Sequence, residues 1–114
     1  MALKRMVLQI GMGTDIRGAD YTKAAVRALR DALWRNGLSI ADAVGLPVDA
    51  MQVEVTIGVQ RPEKVDRGVV KAALPHGQVT VSVVKGGLDV PDDGSADVAV
   101  IASAAVAVRL ELPK

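Results

Sequence analysis

Two glycine-containing segments hold the residues with the clearest potential for chemistry. The first spans residues 11–18, between a predicted strand and a predicted helix, and includes Asp15 and Arg17. Glycines at such a junction let backbone amides approach a ligand, and a helix N-terminus favours an anion. The alternative is a tight turn whose glycines need positive φ, with Asp15 bonding local amides. At least one of these glycines should have positive φ or contact a backbone too closely for a Cβ.

This first segment matches neither of two common phosphate-binding motifs. In a Gly-x-Gly-x-x-Gly fingerprint the third glycine would fall at Ile16, and the Gly-Lys-Ser/Thr ending of a P-loop is missing. The segment is therefore predicted to be neither a dinucleotide fingerprint nor a P-loop.

The second segment is the predicted turn after the third strand, where Lys85 precedes two glycines. A lysine there could bind an anion or activate a serine supplied from elsewhere, such as Ser82 or Ser103. The alternative is an ordinary glycine turn with a solvated lysine.

We predict that the loop at residues 15–20 and the turn at residues 85–89 form one small-molecule site, completed by a neighbouring subunit. Arg17 and Lys85 would hold an anionic or carbonyl-bearing ligand, and Asp15 would orient one of them or act as a base. The rival hypothesis is a non-enzymatic binding or assembly subunit, so the sequence leaves open whether the protein is an enzyme. The predicted catalytic residues are Asp15 and Lys85, and the predicted ligand-binding residues are Gly11, Gly13, Thr14, Arg17, Gly18, Gly86 and Gly87.

The composition argues against several other functions. The formal net charge is +1, and no run of basic residues forms the stripe expected of a nucleic-acid binder. Without cysteine there are no disulfides or thiolate nucleophiles, and the single histidine cannot form a multi-histidine metal site. The apolar run from Val98 to Val108 is too short to span a bilayer. We therefore predict no cofactor, metal, nucleic acid or membrane partner, and a cytoplasmic location.

The elements that must position these residues alternate along the chain. One domain covering residues 1–114 is expected at this length. The apolar periodicity predicts an α/β (α+β) fold of order β-α-β-α-β-β, in which two helices cover one face of a mixed four-stranded sheet. Asp20 is the predicted N-cap of the first helix, and Gly37 its predicted stop. The predicted strands cover residues 5–12, 51–60, 78–84 and 97–112, the predicted helices cover 20–36 and 63–74, and residues 90–96 form the predicted mobile loop.

The apolar residues favour self-association. Val and Ala dominate, Phe is absent, and Tyr21 and Trp34 are the only aromatics. Small side chains bury little area each, at about 25 cal/mol per Å². The last predicted strand is apolar on both sides although helices cover one face only. That strand should be central or lie at a subunit contact, and another copy should cover the open face.

The whole chain resembles a group of small, functionally uncharacterised bacterial and plant proteins with an N-terminal Gly-x-Gly-x-Asp-x-His-Gly motif. The segment from Asp20 to Arg27 resembles that family's helix start, and residues 85–88 resemble a second shared block. Arg17 stands where the family has histidine, so no imidazole role is implied there. The resemblance implies a fold and a site but no reaction. The positions that match the motif are Gly11, Gly13, Asp15 and Gly18.

Residues 83–89 are also similar to the strand-ending Ser-Gly-Gly-Thr-Glu-Gly block of the cyanuric acid hydrolase and barbiturase family. Those ring-opening amidases are built from three related α/β units around a threefold axis. The similarity implies a trimer as the preferred homo-oligomer, with a dimer as the alternative, and ring-opening amide hydrolysis as the related chemistry. Lys85 stands where that family has its serine, so the family's nucleophile is missing here.

Overall fold

The computed structural model describes residues 2–34, 40–74, 77–94 and 97–112, and a five-stranded mixed sheet is its main feature. Two short 3-10 turns, Val48–Ala50 and Pro62–Lys64, precede and follow the second strand. The strands are β1 (Ala2–Asp15), β2 (Gln52–Val59), β3 (Gln78–Lys85), β4 (Leu88–Pro91) and β5 (Val98–Leu112), and the helices are α1 (Tyr21–Trp34), α2 (Ile40–Ala43) and α3 (Arg67–Ala72).

Strand β5 lies at the centre of the sheet, which confirms the position predicted for the last strand. It pairs antiparallel with β1 on one side and with β2 and β4 on the other. Strand β3 adds to the sheet parallel to β2. Gly58 of β2 pairs with Ser103 and Leu88 of β4 pairs with Ile101, so β4 continues along β5 from where β2 ends.

Strand β4 is a fifth strand that the sequence analysis did not predict. The mobile loop predicted at residues 90–96 begins inside this strand, and residues 95–96 lie outside the described residues. Four residues are too few to show an alternating pattern, and a proline within them argues against a strand unless it lies at an edge or an end. Pro91 is the last residue of β4, where a missing N–H is tolerated.

Helix α1 begins where its sequence predicts. The carboxylate of Asp20 accepts a hydrogen bond from the backbone N–H of Lys23 at 3.0 Å, which is the N-cap arrangement. The predicted stop at Gly37 lies outside the described residues. The buried residues of α1 are mostly alanines, so the helix axis can approach the sheet closely; they are Tyr21, Ala24, Ala25, Ala28, Leu29 and Ala32.

The second helix is shorter than predicted. The predicted span of residues 63–74 divides into the 3-10 turn Pro62–Lys64 and helix α3, because Asp66 interrupts it and starts a new helix. The Asp66 side chain accepts the N–H groups of Gly68 at 3.0 Å and Val69 at 3.3 Å. An internal aspartate is thus an N-cap that the helical spacing alone did not reveal.

One face of the sheet is covered by helices, as predicted, and the other is open. Helix α1 packs on β1, β5 and β2, while α3 contacts α1 and β3. Alternate residues of β2 and β5 point into this single core, and their neighbours point to the opposite face. The fully buried side chains of those two strands include Val53, Val55, Ile57, Val59, Val100, Val106, Val108 and Leu110.

Candidate functional site

Gly11 and Gly13 lie inside β1 and not in the loop after it. A Cβ on Gly13 would lie 2.5 Å from the carbonyl oxygen of Ala24 and still closer to the backbone nitrogen of Ala28. A Cβ on Gly11 would likewise lie within 3.0 Å of three backbone atoms of α1. The predicted close backbone contact is therefore confirmed, and these glycines let α1 rest directly on the strand.

The amides of these two glycines also have a structural use. The N–H of Met12 points away from the sheet and donates to the Asp31 carboxylate at 2.9 Å. Successive residues of a strand point their N–H groups to opposite sides, so those of Gly11 and Gly13 point toward β5. The structure thus places the amides of Gly11 and Gly13 in the ladder with β5, not in a ligand cradle.

Asp15 ends β1 and orders the loop that follows. The residue is only 5% exposed, and Oδ2 accepts the backbone N–H of Asp20 at 2.9 Å. The guanidinium of Arg27 lies 3.7 Å from Oδ1 and donates to the carbonyl of Thr14 at 2.6 Å. Asp15 therefore bonds a local amide, as the turn alternative predicts, and its charge is partly compensated.

The loop between Asp15 and α1 contains two successive residues with positive φ. Gly18 has φ +88° and Ala19 has φ +48°. The left-handed conformation costs an alanine about 1–2 kcal/mol, whereas glycine adopts it freely. Arg17, beside them, is exposed to solvent. This loop therefore holds some backbone strain next to an available cation.

Gly86 and Gly87 connect the end of β3 to β4, and the chain passes the end of β2 between these two strands. The N–H of Gly86 donates to the carbonyl of Val59 at 2.9 Å, and the Gln60 side-chain amide donates to the carbonyls of Gly86 at 3.1 Å and Gly87 at 3.3 Å. Gly87 has φ +60°, and a Cβ there would lie 2.9 Å from the carbonyl oxygen of Gly58. The glycine block therefore shapes the crossing that starts β4.

The structure does not bring Lys85 and Asp15 together. Lys85 is exposed at the end of β3, and β5 and β2 lie between β3 and the strand that carries Asp15. Three strand spacings separate the two residues by about 14 Å across the sheet.

Asp89 is the residue of the second segment that lies near Asp15. Both aspartates pair with Val100 of β5, Asp15 from β1 and Asp89 from β4. Residues directly opposite each other on paired strands share a face, so both carboxylates lie on the helix-covered side. Two antiparallel pairings place their Cα atoms about 10 Å apart. Of the two polar residues of the predicted turn, Asp89 therefore lies nearer to Asp15 than Lys85 does, with β5 between the two aspartates.

Tyr21 and Asp89 form a polar contact between the start of α1 and β4. The Tyr21 hydroxyl donates to Oδ2 of Asp89 at 2.5 Å, and Tyr21 is 4% exposed. Oδ1 of Asp89 is buried and has no hydrogen-bond partner among the described residues. Neither residue was assigned a role from the sequence. The one signal was that Asp89 is the last residue of the turn predicted at residues 85–89, two positions after Gly87.

The surroundings of Tyr21 keep its hydroxyl protonated. Desolvation by burial raises the pKa of Tyr21, and the hydrogen bond to Asp89 and that residue's negative charge raise it further. Glu63 acts in the same direction, while the nearby charge of Arg61 lowers the pKa. The hydroxyl is therefore a fixed donor to Asp89 at neutral pH.

Two features are absent from the described residues, a cluster of metal-ligating side chains and a membrane-spanning helix. No group of three or more His, Cys, Asp or Glu side chains in that part of the chain is arranged to hold a metal ion. No helix of the described segments is long and apolar enough to cross a membrane.

The sequence matches a protein family over most of its length. The model of a conserved hypothetical protein family, Lin0512_fam, matches residues 5–108. The chain is also similar to a crystal structure described as an FtsZ-like protein of unknown function from Nostoc punctiforme PCC 73102. The two are 38% identical with a TM-score of 0.87, over 98% of this chain and 99% of that one. No curated protein matches the sequence.

Proposed function

We propose that this chain, which belongs to the Lin0512_fam family of conserved hypothetical proteins, binds a small polar molecule where the loop at residues 16–20 meets β4. The supporting observation is the buried, unpartnered Oδ1 atom of Asp89. A buried polar atom without a hydrogen bond costs about 1–3 kcal/mol, and more when it is charged. This oxygen needs a donor that the described part of the chain does not supply.

The chemistry of the site defines the ligand class. The ligand must donate a hydrogen bond to Asp89, through an amide N–H, an ammonium or a hydroxyl group. Arg17 on the adjacent loop is suited to a carbonyl or an anionic group of the same molecule. A small amide or amino-acid-like molecule has both groups. Cyclic amides, the substrate type of the ring-opening amidases, are therefore the first class to test.

Four of the other predicted site residues have supporting roles in this proposal. Asp15 positions the loop through the amide of Asp20. Gly86 and Gly87 shape the turn that presents Asp89. Gly18 supplies the left-handed conformation beside Arg17. The proposal concerns binding, because it places no nucleophile at the ligand.

Ligand entry requires movement of the loop. Oδ1 of Asp89 has almost no solvent-accessible area, so a donor can reach it only if a neighbouring segment shifts. We expect the loop at residues 16–20 to move, because it directly precedes Tyr21 and contains the strained Ala19. Relief of that strain would offset part of the cost of opening.

Thermal-shift screening with cyclic amides, linear amides and amino acids tests the proposal. A ligand at a hundred times its Kd adds about 2.7 kcal/mol to the free energy of unfolding, a rise of roughly 10 °C in Tm for a domain of this size. Asp89→Asn should abolish the rise. Asp49→Asn, which removes the same charge at an exposed position, should keep it.

Two results would contradict the proposal. One is the absence of any Tm increase with all three compound classes at millimolar concentration. The other is an undiminished increase in Asp89→Asn. Either would favour the rival hypothesis of a non-enzymatic assembly subunit.

A further inference from the structure

The sheet face opposite the helices exposes large apolar side chains over much of its length. On β1, Ile10 is 77% exposed and Met12 is 61% exposed, with Leu8 beside them. Isolated exposed apolar residues are ordinary, but a contiguous apolar patch on a small protein marks an interaction surface. We call this surface the open face. Its other exposed large apolar residues are Leu3, Val84, Leu88 and Val90.

The open face has a ridge and a groove. In one row across the sheet, Met12 of β1 is followed by Ser103 of β5, Gly58 of β2 and Val84 of β3. In the next row, Ile10 is followed by residues with small side chains; these are Ala105, Thr56 and Ser82. Large side chains on β1 thus border a floor of small ones, and the resulting concavity has a volume of about 590 Å³.

We propose that the open face binds a second copy of the same chain. The ridge formed by Leu8, Ile10 and Met12 has the width of one strand, and beside Ile10 and Met12 the adjacent floor is formed by two strands that carry only small side chains in these two rows. One copy therefore supplies both a protruding and a recessed apolar surface. Each surface can bury its counterpart on another copy, which is how closed homo-oligomers are built.

The area of the face agrees with this occupant. Each strand residue covers about 16 Å² of a sheet, from a rise of about 3.3 Å and a strand spacing of about 4.8 Å. The five strands contain roughly fifty residues, so the face covers about 800 Å². A stable interface of standard size buries about 800 Å² on each partner. The face is therefore large enough for a specific complex between copies.

The charged residues of the open face lie toward the end of the sheet away from Met12, and Asp31 of α1 lines the concavity. The charged residues of the face are Arg5, Glu54, Arg109 and Glu111. Arg109 and Glu54 lie toward one end of the face and form an ion pair with each other, so neither presents an unpaired charge to a second copy. The rows that contain Ile10 and Met12 hold no charged residue. The net charge of +1 produces little repulsion between copies.

This inference does not depend on the proposed ligand site. Asp89 points to the helix-covered side, because it pairs with the buried Val100, whereas the open face lies on the other side of the sheet. Loss of ligand binding in Asp89→Asn should therefore leave the association unchanged.

Light scattering coupled to size-exclusion chromatography tests the proposal. The wild-type chain should have a mass of at least twice 11.9 kDa at micromolar concentration. Ile10→Glu places a carboxylate in the ridge, and we expect it to raise the dissociation constant at least about a hundredfold. Leu88→Glu tests the same face at a second position. Val69→Glu, at an exposed apolar residue of α3, is the matched control and should leave the mass unchanged.

Circular dichroism separates dissociation from unfolding, since Ile10 and Leu88 are exposed in the single chain and their variants should remain folded. A wild-type monomer at about 100 µM would overturn the proposal and direct the search to a different occupant. A folded Ile10→Glu or Leu88→Glu variant that keeps the wild-type mass would also overturn it. The measured mass in addition decides between the trimer and the dimer.

Discussion

Replacing Gly13 with alanine should show how much stability depends on the close contact between α1 and β1. The new Cβ would lie 2.5 Å from the carbonyl oxygen of Ala24, and ordinary contact begins at 3.4 Å, so α1 must move by about 1 Å. A gap of 0.5–1 Å already removes a quarter to a half of the dispersion energy between packed atoms. Since the buried face of α1 would lose contact along its length, we expect the free energy of unfolding to fall by about 3 kcal/mol or more.

Urea unfolding and the thermal midpoint measure this effect, which corresponds to a fall of roughly 10 °C in Tm. Two glycines at which an added Cβ would have no atom within 4 Å provide controls. Gly94→Ala should be within about 0.5 kcal/mol of wild type. Gly45→Ala, at φ +74°, should lose only about 1 kcal/mol through backbone strain. A Gly13→Ala variant no less stable than Gly45→Ala would refute the close-contact argument.

Three further predictions concern the loop, the second helix and the crossing to β4. The raised pKa means that the Tyr21 hydroxyl adds stability below its ordinary pKa of about 10, and that this contribution is lost as pH rises through the raised value. Tyr21→Phe should therefore be about 1–2 kcal/mol less stable than wild type in urea unfolding near pH 8, with a difference that shrinks above pH 10; a constant difference would contradict the assignment. Asp66→Ala removes the N-cap of α3 and should cost about 1 kcal/mol in the same assay, whereas no change would mean that the cap is not formed in solution. Gly87→Ala should lower Tm more than Gly45→Ala does. Both substitutions put an alanine at positive φ, but only the Cβ at position 87 would also contact the Gly58 carbonyl. Equal losses of Tm would mean that the positive φ accounts for the whole effect.

The features that the sequence predicted correctly are those with a long repeating pattern. Residues 51–60 alternate strictly, and the structure has β2 at Gln52–Val59. The last strand is apolar at successive positions, and β5 is paired on both sides as that pattern indicates. Asp20 was recognisable as an N-cap because it directly precedes a run with helical spacing.

The features that the sequence missed depend on contacts between distant segments. Gly11 and Gly13 suggested a ligand loop, but their lack of a Cβ serves the approach of α1. The hydrophobic pattern of a sequence does not show whether a glycine allows close contact with a ligand or close packing of a helix. The pairing of Tyr21 with Asp89 spans 68 positions in the chain, and no local spacing connects them. A lysine has suitable chemistry for a binding site, but the order of strands in the sheet places Lys85 three strands away from Asp15.

Strand β4 connects the two proposals, because its successive side chains point alternately to the open face and to the proposed ligand site. Leu88 and Val90 point to the open face, while Asp89, between them, points to Tyr21 on the helix-covered side. The strand is only four residues long and pairs with β5 alone, so its backbone has little support within the chain. A second copy covering Leu88 and Val90 would bury the outer side of this strand and restrict its motion. The position of Asp89 would then be fixed from both sides, by Tyr21 within the chain and by packing against the neighbouring copy. A ligand site whose residues all belong to one chain can in this way still require an oligomer for its rigidity.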